Sequence, residues 1–271
     1  MTKVLTKVYS KEGLPSYRKP PVNEVYAGVR FQAPDKLNIT HFGQLWGKFR
    51  SEYPIVQHSA PIESGPAQFL IDQATGLPLP RVWFINTEDN RLVQFQVDRF
   101  YFNWRCRNDD YPRYPYVIDK FESASSIIKS FFSEFDLGEL KPVEYELNYT
   151  NHIPMGQGWE TTDDLSRIFR DFTWSKSADR FLPRPEDVAW NTNFKLPDDK
   201  GKLTVKLKQA IRQEDKVRIL VLELTVRGVV DLLGDISVRK WFDTAHEWIV
   251  RGFTDLTTHE IQTKLWEREN A

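Results

Sequence analysis

Cysteine is almost absent: Cys106 stands alone in 271 residues. No intramolecular disulfide can form, and one chain cannot build a cysteine-based zinc site. Long apolar runs are missing too, so no segment approaches the length of a membrane span. No charged-then-apolar leader opens the chain, and the expectation is a soluble cytoplasmic protein with no membrane contact. Excess charge of either sign is lacking. The 37 Lys and Arg balance 38 Asp and Glu, a net charge of −1. That argues against nucleic acid as a partner, because such binders carry a basic face or stripe. Nucleophile elbow, P-loop and dinucleotide fingerprint are all missing. No cofactor and no metal site is implied.

Aromatic residues are plentiful, with 18 Phe, 10 Tyr and 9 Trp in a chain that is 40% apolar. That is ample for a core, and the length suits one large domain or two of ordinary size. The best-patterned stretch is 81–135. An antiparallel meander (81–86, 92–98, 100–105) runs through a Tyr/Pro turn into a long helix. Its apolar stripe is Val117, Phe121, Ala124, Ile128, Phe132 and Phe135, a helical spacing. Adding 121 to each number gives Val238, Phe242, Ala245, Ile249, Phe253 and Leu256, five of them identical. The same offset pairs Pro21-Val22 with Pro142-Val143. A duplicated unit is the reading that accounts for both matches.

In chain order, 1–20 reads as a flexible or loosely tied arm, with an edge strand at Lys3–Tyr9. Val22–Phe31 alternates as a strand. Asn38 or Thr40 caps a helix that Tyr53-Pro54 stops. Residues 55–80 form a Pro/Gly-rich connector with one strand at Gln68–Ile71. Leu137-Gly138 closes the long helix. The second half opens with a strand at 143–149. A helix capped at Thr162-Asp163-Asp164 follows, then strands at 188–196, 203–211 and 217–230. Asp235 or Ser237 caps a second long helix and Thr258 a short last one. The expectation is an α+β fold: a tandem duplication of a strand, helix, antiparallel meander and long helix. Each curved sheet would wrap its long helix in a TATA-binding-protein-like or helix-grip-like way. Units fall at 21–138 and 141–271.

Several stretches carry a family resemblance. They are Pro21-Val-Asn-Glu-Val-Tyr26, Tyr53-Pro54, Leu92–Trp104, Tyr145-x-Leu-x-Tyr-x-Asn-x-Ile153, and His246-Glu-Trp-Ile249 with Phe253, Thr257 and Trp266. Together they resemble a sporadically distributed family of uncharacterised bacterial and archaeal proteins of about this length, over roughly Pro20 to Trp266. The resemblance brings no established activity and no catalytic residues. Patchy distribution implies an accessory gene, such as a component of prokaryotic defence or of a toxin–antitoxin system.

Three groups of residues are candidates for a site. Trp104, Arg105, Arg107, Tyr111, Arg113 and Tyr114 crowd the types enriched at binding hot spots. The plain alternative is aromatic core with surface arginines paired to Asp109, Asp110 and Asp119. Gln94, Gln96 and Asp98 alternate with Val93, Phe95 and Val97. They read as a solvated outward column or as a polar ligand platform. His246, with Asp243 one turn earlier, reads as a helix-face pair, as a packed histidine, or as part of a ligand site. Position 250 is Val250, so the zincin spacing is not met. The leading expectation is a non-catalytic module that binds another protein, such as one encoded by a neighbouring gene; a homo-oligomer is also open. One alternative is a small-ligand or nucleotide sensor with its pocket between sheet and long helix. Another is an enzyme acting through scattered residues such as His152, Asp243, His246 and Glu247.

Overall fold

The computed structural model describes residues 13–62, 71, 76, 78–107, 111–174 and 180–269. Strand alternation sets the layout. In β1 (Val22–Phe31), Val25, Ala27, Val29 and Phe31 are buried on one face, while Glu24, Tyr26 and Arg30 point to the other. The remaining strands are β2 (Ile55–Ser59), β3 (Arg81–Ile85), β4 (Arg91–Gln96), β5 (Arg99–Arg105), β6 (Pro142–Pro154), β7 (Ala189–Lys195), β8 (Lys202–Ile211) and β9 (Arg218–Val229). Among the described residues all pair antiparallel in one nine-stranded sheet of order β2-β3-β4-β5-β1-β6-β9-β8-β7. β1 and β6 lie side by side near its centre, with Ala27 opposite Leu147.

The long helices α2 (Arg113–Glu134) and α4 (Val238–Leu256) pack on the apolar face. Phe121, Ala124, Ile128 and Phe132 of α2 are buried, as are Phe242, Ala245, Ile249 and Phe253 of α4. The two stripes meet at Phe121 and Phe242, with ring centroids 5.0 Å apart. Val238 departs from the pattern, exposed at the first position of α4. Trp241 is the buried tryptophan of that helix. Its Nε1 donates to the Lys200 carbonyl at 3.0 Å, and a Cβ at Gly228 would meet the indole at 2.5 Å.

Caps follow the sequence in three cases. Asn38 closes a capping box with His41 on α1 (Ile39–Phe49). Ser237 caps α4, and Thr258 caps α5 (His259–Lys264). The end of α2 differs. Its left-handed residue is Asp136 (φ 50°), with Leu137 N–H bonding to the Phe132 carbonyl, so a Schellman turn closes the helix before Gly138.

Other expectations are corrected. β2 is a real strand inside the Pro/Gly-rich connector. The helix α3 (Leu165–Ile168) is only four residues long. Phe169 leaves it to bridge Thr257, so the helix does not reach Phe172. Residues 16–19, expected in the loose arm, are clasped to the far end of the chain. Tyr17 bridges Arg268, Lys19 N–H bonds to the Trp266 carbonyl, and Arg18 pairs with Glu267. The strand expected at Lys3–Tyr9 lies outside the described residues, as does most of Gln68–Ile71. Among the described residues no helix is long and apolar enough to cross a membrane, and no group of three His, Cys, Asp or Glu could hold a metal ion.

Candidate functional site

Five segments converge at one end of the helix pair around a cavity of about 230 Å³. An engineered cavity of about 150 Å³ holds benzene, so the space admits one substituted ring. The turn into α2 supplies Tyr111, Arg113 and Tyr114. β6 supplies Tyr149, α4 supplies His246 and Phe253, β9 supplies Leu224, and the clasped arm supplies Tyr17. Pro112 and Pro115 stiffen the turn. Arg113 takes a positive φ of 73°, a conformation that costs a residue with a side chain of order 1–3 kcal/mol. Its guanidinium donates to the Tyr17 carbonyl at 2.8 Å, tying the turn to the arm.

The tyrosines are fixed by hydrogen bonds. The hydroxyls of Tyr111 and Tyr149 share one at 2.7 Å, and Tyr17 shares one with Thr254 at 2.7 Å. Tyr114 donates to Asp243 at 2.8 Å. Burial raises the pKa of each of these four phenols, so all stay neutral. His246 lies flat on Tyr114, with centroids 4.0 Å apart and planes 7° apart. Tyr149 approaches it at 6.0 Å. Among the described residues no hydrogen bond reaches either ring nitrogen of His246. Burial pulls its pKa down to about 4, against a smaller opposing pull from Asp243. The imidazole is therefore neutral at physiological pH, offering one donor and one acceptor.

Sequence candidates from two separate groups thus meet here: Tyr111, Arg113 and Tyr114 with His246. Trp104 stands behind them in the core, 1% exposed, with its ring 5.3 Å from Tyr111. Arg105 and Arg107 belong elsewhere, both paired to Asp89; Asp109 and Asp110 lie outside the described residues, and Asp119 pairs with Arg239. Asp243 and His246 do not form a helix-face pair. Asp243 takes the Tyr114 hydroxyl and lies 3.6 Å from Arg239. Tyr17, Tyr149 and Phe253 were missed as site residues. The strand and helix patterns of Tyr149 and Phe253 mark them only as core, and Tyr17 falls in the arm expected to be loose.

The Gln94, Gln96 and Asp98 column lies on the opposite sheet face and is not solvated; the three residues are 9%, 3% and 5% exposed. Gln94 donates to Asn103 at 2.8 Å, and Asn103 in turn donates to Glu24 at 2.7 Å. Gln96 bonds both the N–H and the carbonyl of Ile62, while Asp98 takes a two-pronged bond from Arg99. Alternation identifies a polar face. It does not say whether side chains and a neighbouring segment cover that face.

No protein-family model matches the chain, and no curated protein matches it in sequence. The chemistry of the cavity is what bears on function. A base with a pKa near 4 has little proton-transfer driving force at neutral pH. His152, Asp243, His246 and Glu247 do not assemble around it. Glu247 pairs with Arg251, and the His152 Nδ1 is buried without a partner on β6.

Proposed function

We propose that this chain is a non-catalytic binding protein that holds a small, neutral, one-ring molecule between its sheet and the second long helix. The observation carrying this reading is His246: a neutral imidazole on the wall of an aromatic cavity, with no hydrogen bond of its own. A ligand presenting one polar hydrogen to that ring and its apolar body to Phe253, Ile249 and Leu224 would complete the site. Phenol is a suitable probe. Titrated by NMR, it should shift Tyr114, His246 and Phe253 saturably, and Val250→Trp, which fills the space, should abolish those shifts. Scattered, non-saturating shifts would sink the reading.

Recognition of another protein, in a defence or toxin–antitoxin setting, is the second proposal. Supporting it is the outer strand β2, whose Ile55 and Val56 are exposed on a sheet edge unpaired among the described residues, a surface that invites an added strand. Pull-down of the neighbouring gene product, with loss on Val56→Lys, tests it. The lone Cys106 suits a reducing, cytoplasmic setting.

We also take the chain to be a tandem duplication of one TATA-binding-protein-like or helix-grip-like unit. In its support, the order β5-β1 is mirrored by β6-β9 about the central pair, and Phe121 meets its 121-offset counterpart Phe242. Core-facing Ala27 and Phe102 are paired across their strands, as are core-facing Tyr149 and Leu224. Superposing 22–134 on 142–256 without α2 falling on α4 would end the idea.

A further inference from the structure

The geometry points to a second site, for a small oxyanion, on the sheet face away from the long helices. A cavity of about 480 Å³ lies there, within the size range of small-molecule pockets. Four guanidinium groups line it from four strands: Arg30 of β1, Arg81 of β3, Arg99 of β5 and Arg227 of β9.

Most of the local carboxylate capacity is already used. Glu146 accepts two bonds from Arg227, at 2.9 and 2.7 Å, and one from the Tyr26 hydroxyl at 2.5 Å. Asp98 is gripped by Arg99 at 3.0 and 2.8 Å. Glu144 stands 3.9 Å from Arg30. Arg81 is the exception. Among the described residues it donates to neutral acceptors only, the Ser59 hydroxyl at 2.7 Å and the Gln94 carbonyl at 3.3 Å. Its Nε–H is buried with no acceptor among the described residues. Burial lowers the Arg81 pKa, with no carboxylate among the influences on it.

A buried N–H without a partner is costly, and natural structures fill such positions with an acceptor. A cation entering here would have to compete with an arginine at each carboxylate. An anion would meet a guanidinium that no carboxylate among the described residues neutralises, with a second proton on each of Nη1 and Nη2 to give. The ring of Tyr101, packed edge-on against Tyr26 with centroids 5.2 Å apart, offers an apolar wall for whatever body carries the oxyanion. The cavity exceeds a bare phosphate, so the natural ligand is a phosphate or carboxylate on a larger frame. This site is independent of the aromatic cavity on the other side of the sheet.

Titration calorimetry with inorganic phosphate and, separately, acetate tests it, against chloride at matched ionic strength. Saturable binding of either anion is expected, and which one binds separates a phosphate site from a carboxylate site. Arg81→Gln should weaken that binding at least tenfold without lowering the melting temperature of the free protein. Arg81→Lys, which keeps the charge but loses the fork, should bind at an intermediate level and covers the case in which Arg81→Gln fails to fold. His246→Phe should bind the anion as the native chain does. Heat no larger than that of chloride for both anions, or undiminished binding by Arg81→Gln and Arg81→Lys, would overturn the assignment.

Discussion

An imidazole stacked on a phenol ring and largely buried holds a proton poorly, and that ties His246 to pH. The unfolded chain takes up a proton near pH 6.5; the folded one resists until about 4. Stability from this group is complete above 6.5 and falls as pH drops toward 4. Between pH 7.5 and 5 the native protein should lose about 2 kcal/mol through His246 alone. Asp243 on its own helix opposes the effect; Tyr114 of α2 and Tyr149 of β6 present only neutral rings to it. Urea unfolding of the native chain and His246→Phe at both pH values measures the difference. Equal losses would mean the imidazole is already solvated. A second residue is fixed by space rather than charge. A Cβ on Gly28 would come within 2.0 Å of the Tyr101 ring, so Gly28→Ala should cost about 1–3 kcal/mol in the same assay.

Among elements, the crossing of α2 and α4 is the joint to test. Phe121→Ala and Phe242→Ala should each cost about 3–5 kcal/mol. Their double-mutant cycle should show coupling of about 0.5–1.5 kcal/mol, since the rings touch. Additive losses would show that each ring is held by its own half alone. Both helices were legible in the sequence because a buried stripe on a solvated helix repeats at a period nothing else imitates. β1 was legible at its observed bounds for the same reason, with period two. β2 was not: its Ile-Val-Gln-His-Ser run is short, exposed and at an edge, so neither face is forced to be apolar. The buried Gln94–Asp98 column also escaped, because hydrogen bonds rather than composition decide whether a polar strand face is covered. The aromatic cavity was half legible. Tyr111, Arg113, Tyr114 and His246 were singled out, but sequence could not show that the arm and β6 close on them.

At the scale of the molecule, β1–β6 pairing makes one sheet and one buried cluster of both halves. Tryptophan fluorescence and far-UV circular dichroism should therefore report a single coincident urea transition. Two separated transitions would divide the chain at that central pair. The pairing itself was not readable from the sequence, since neither strand records which neighbour it takes. The clasp between residues 16–19 and 266–269 has a consequence for how the protein is made. Ser16 and Glu269 are 253 positions apart, and translation delivers them in that order. The arm is made before its partner and must wait while the residues between them are synthesised. A product cut short before Trp266 would carry all nine strands, yet its aromatic cavity would stand open on one side.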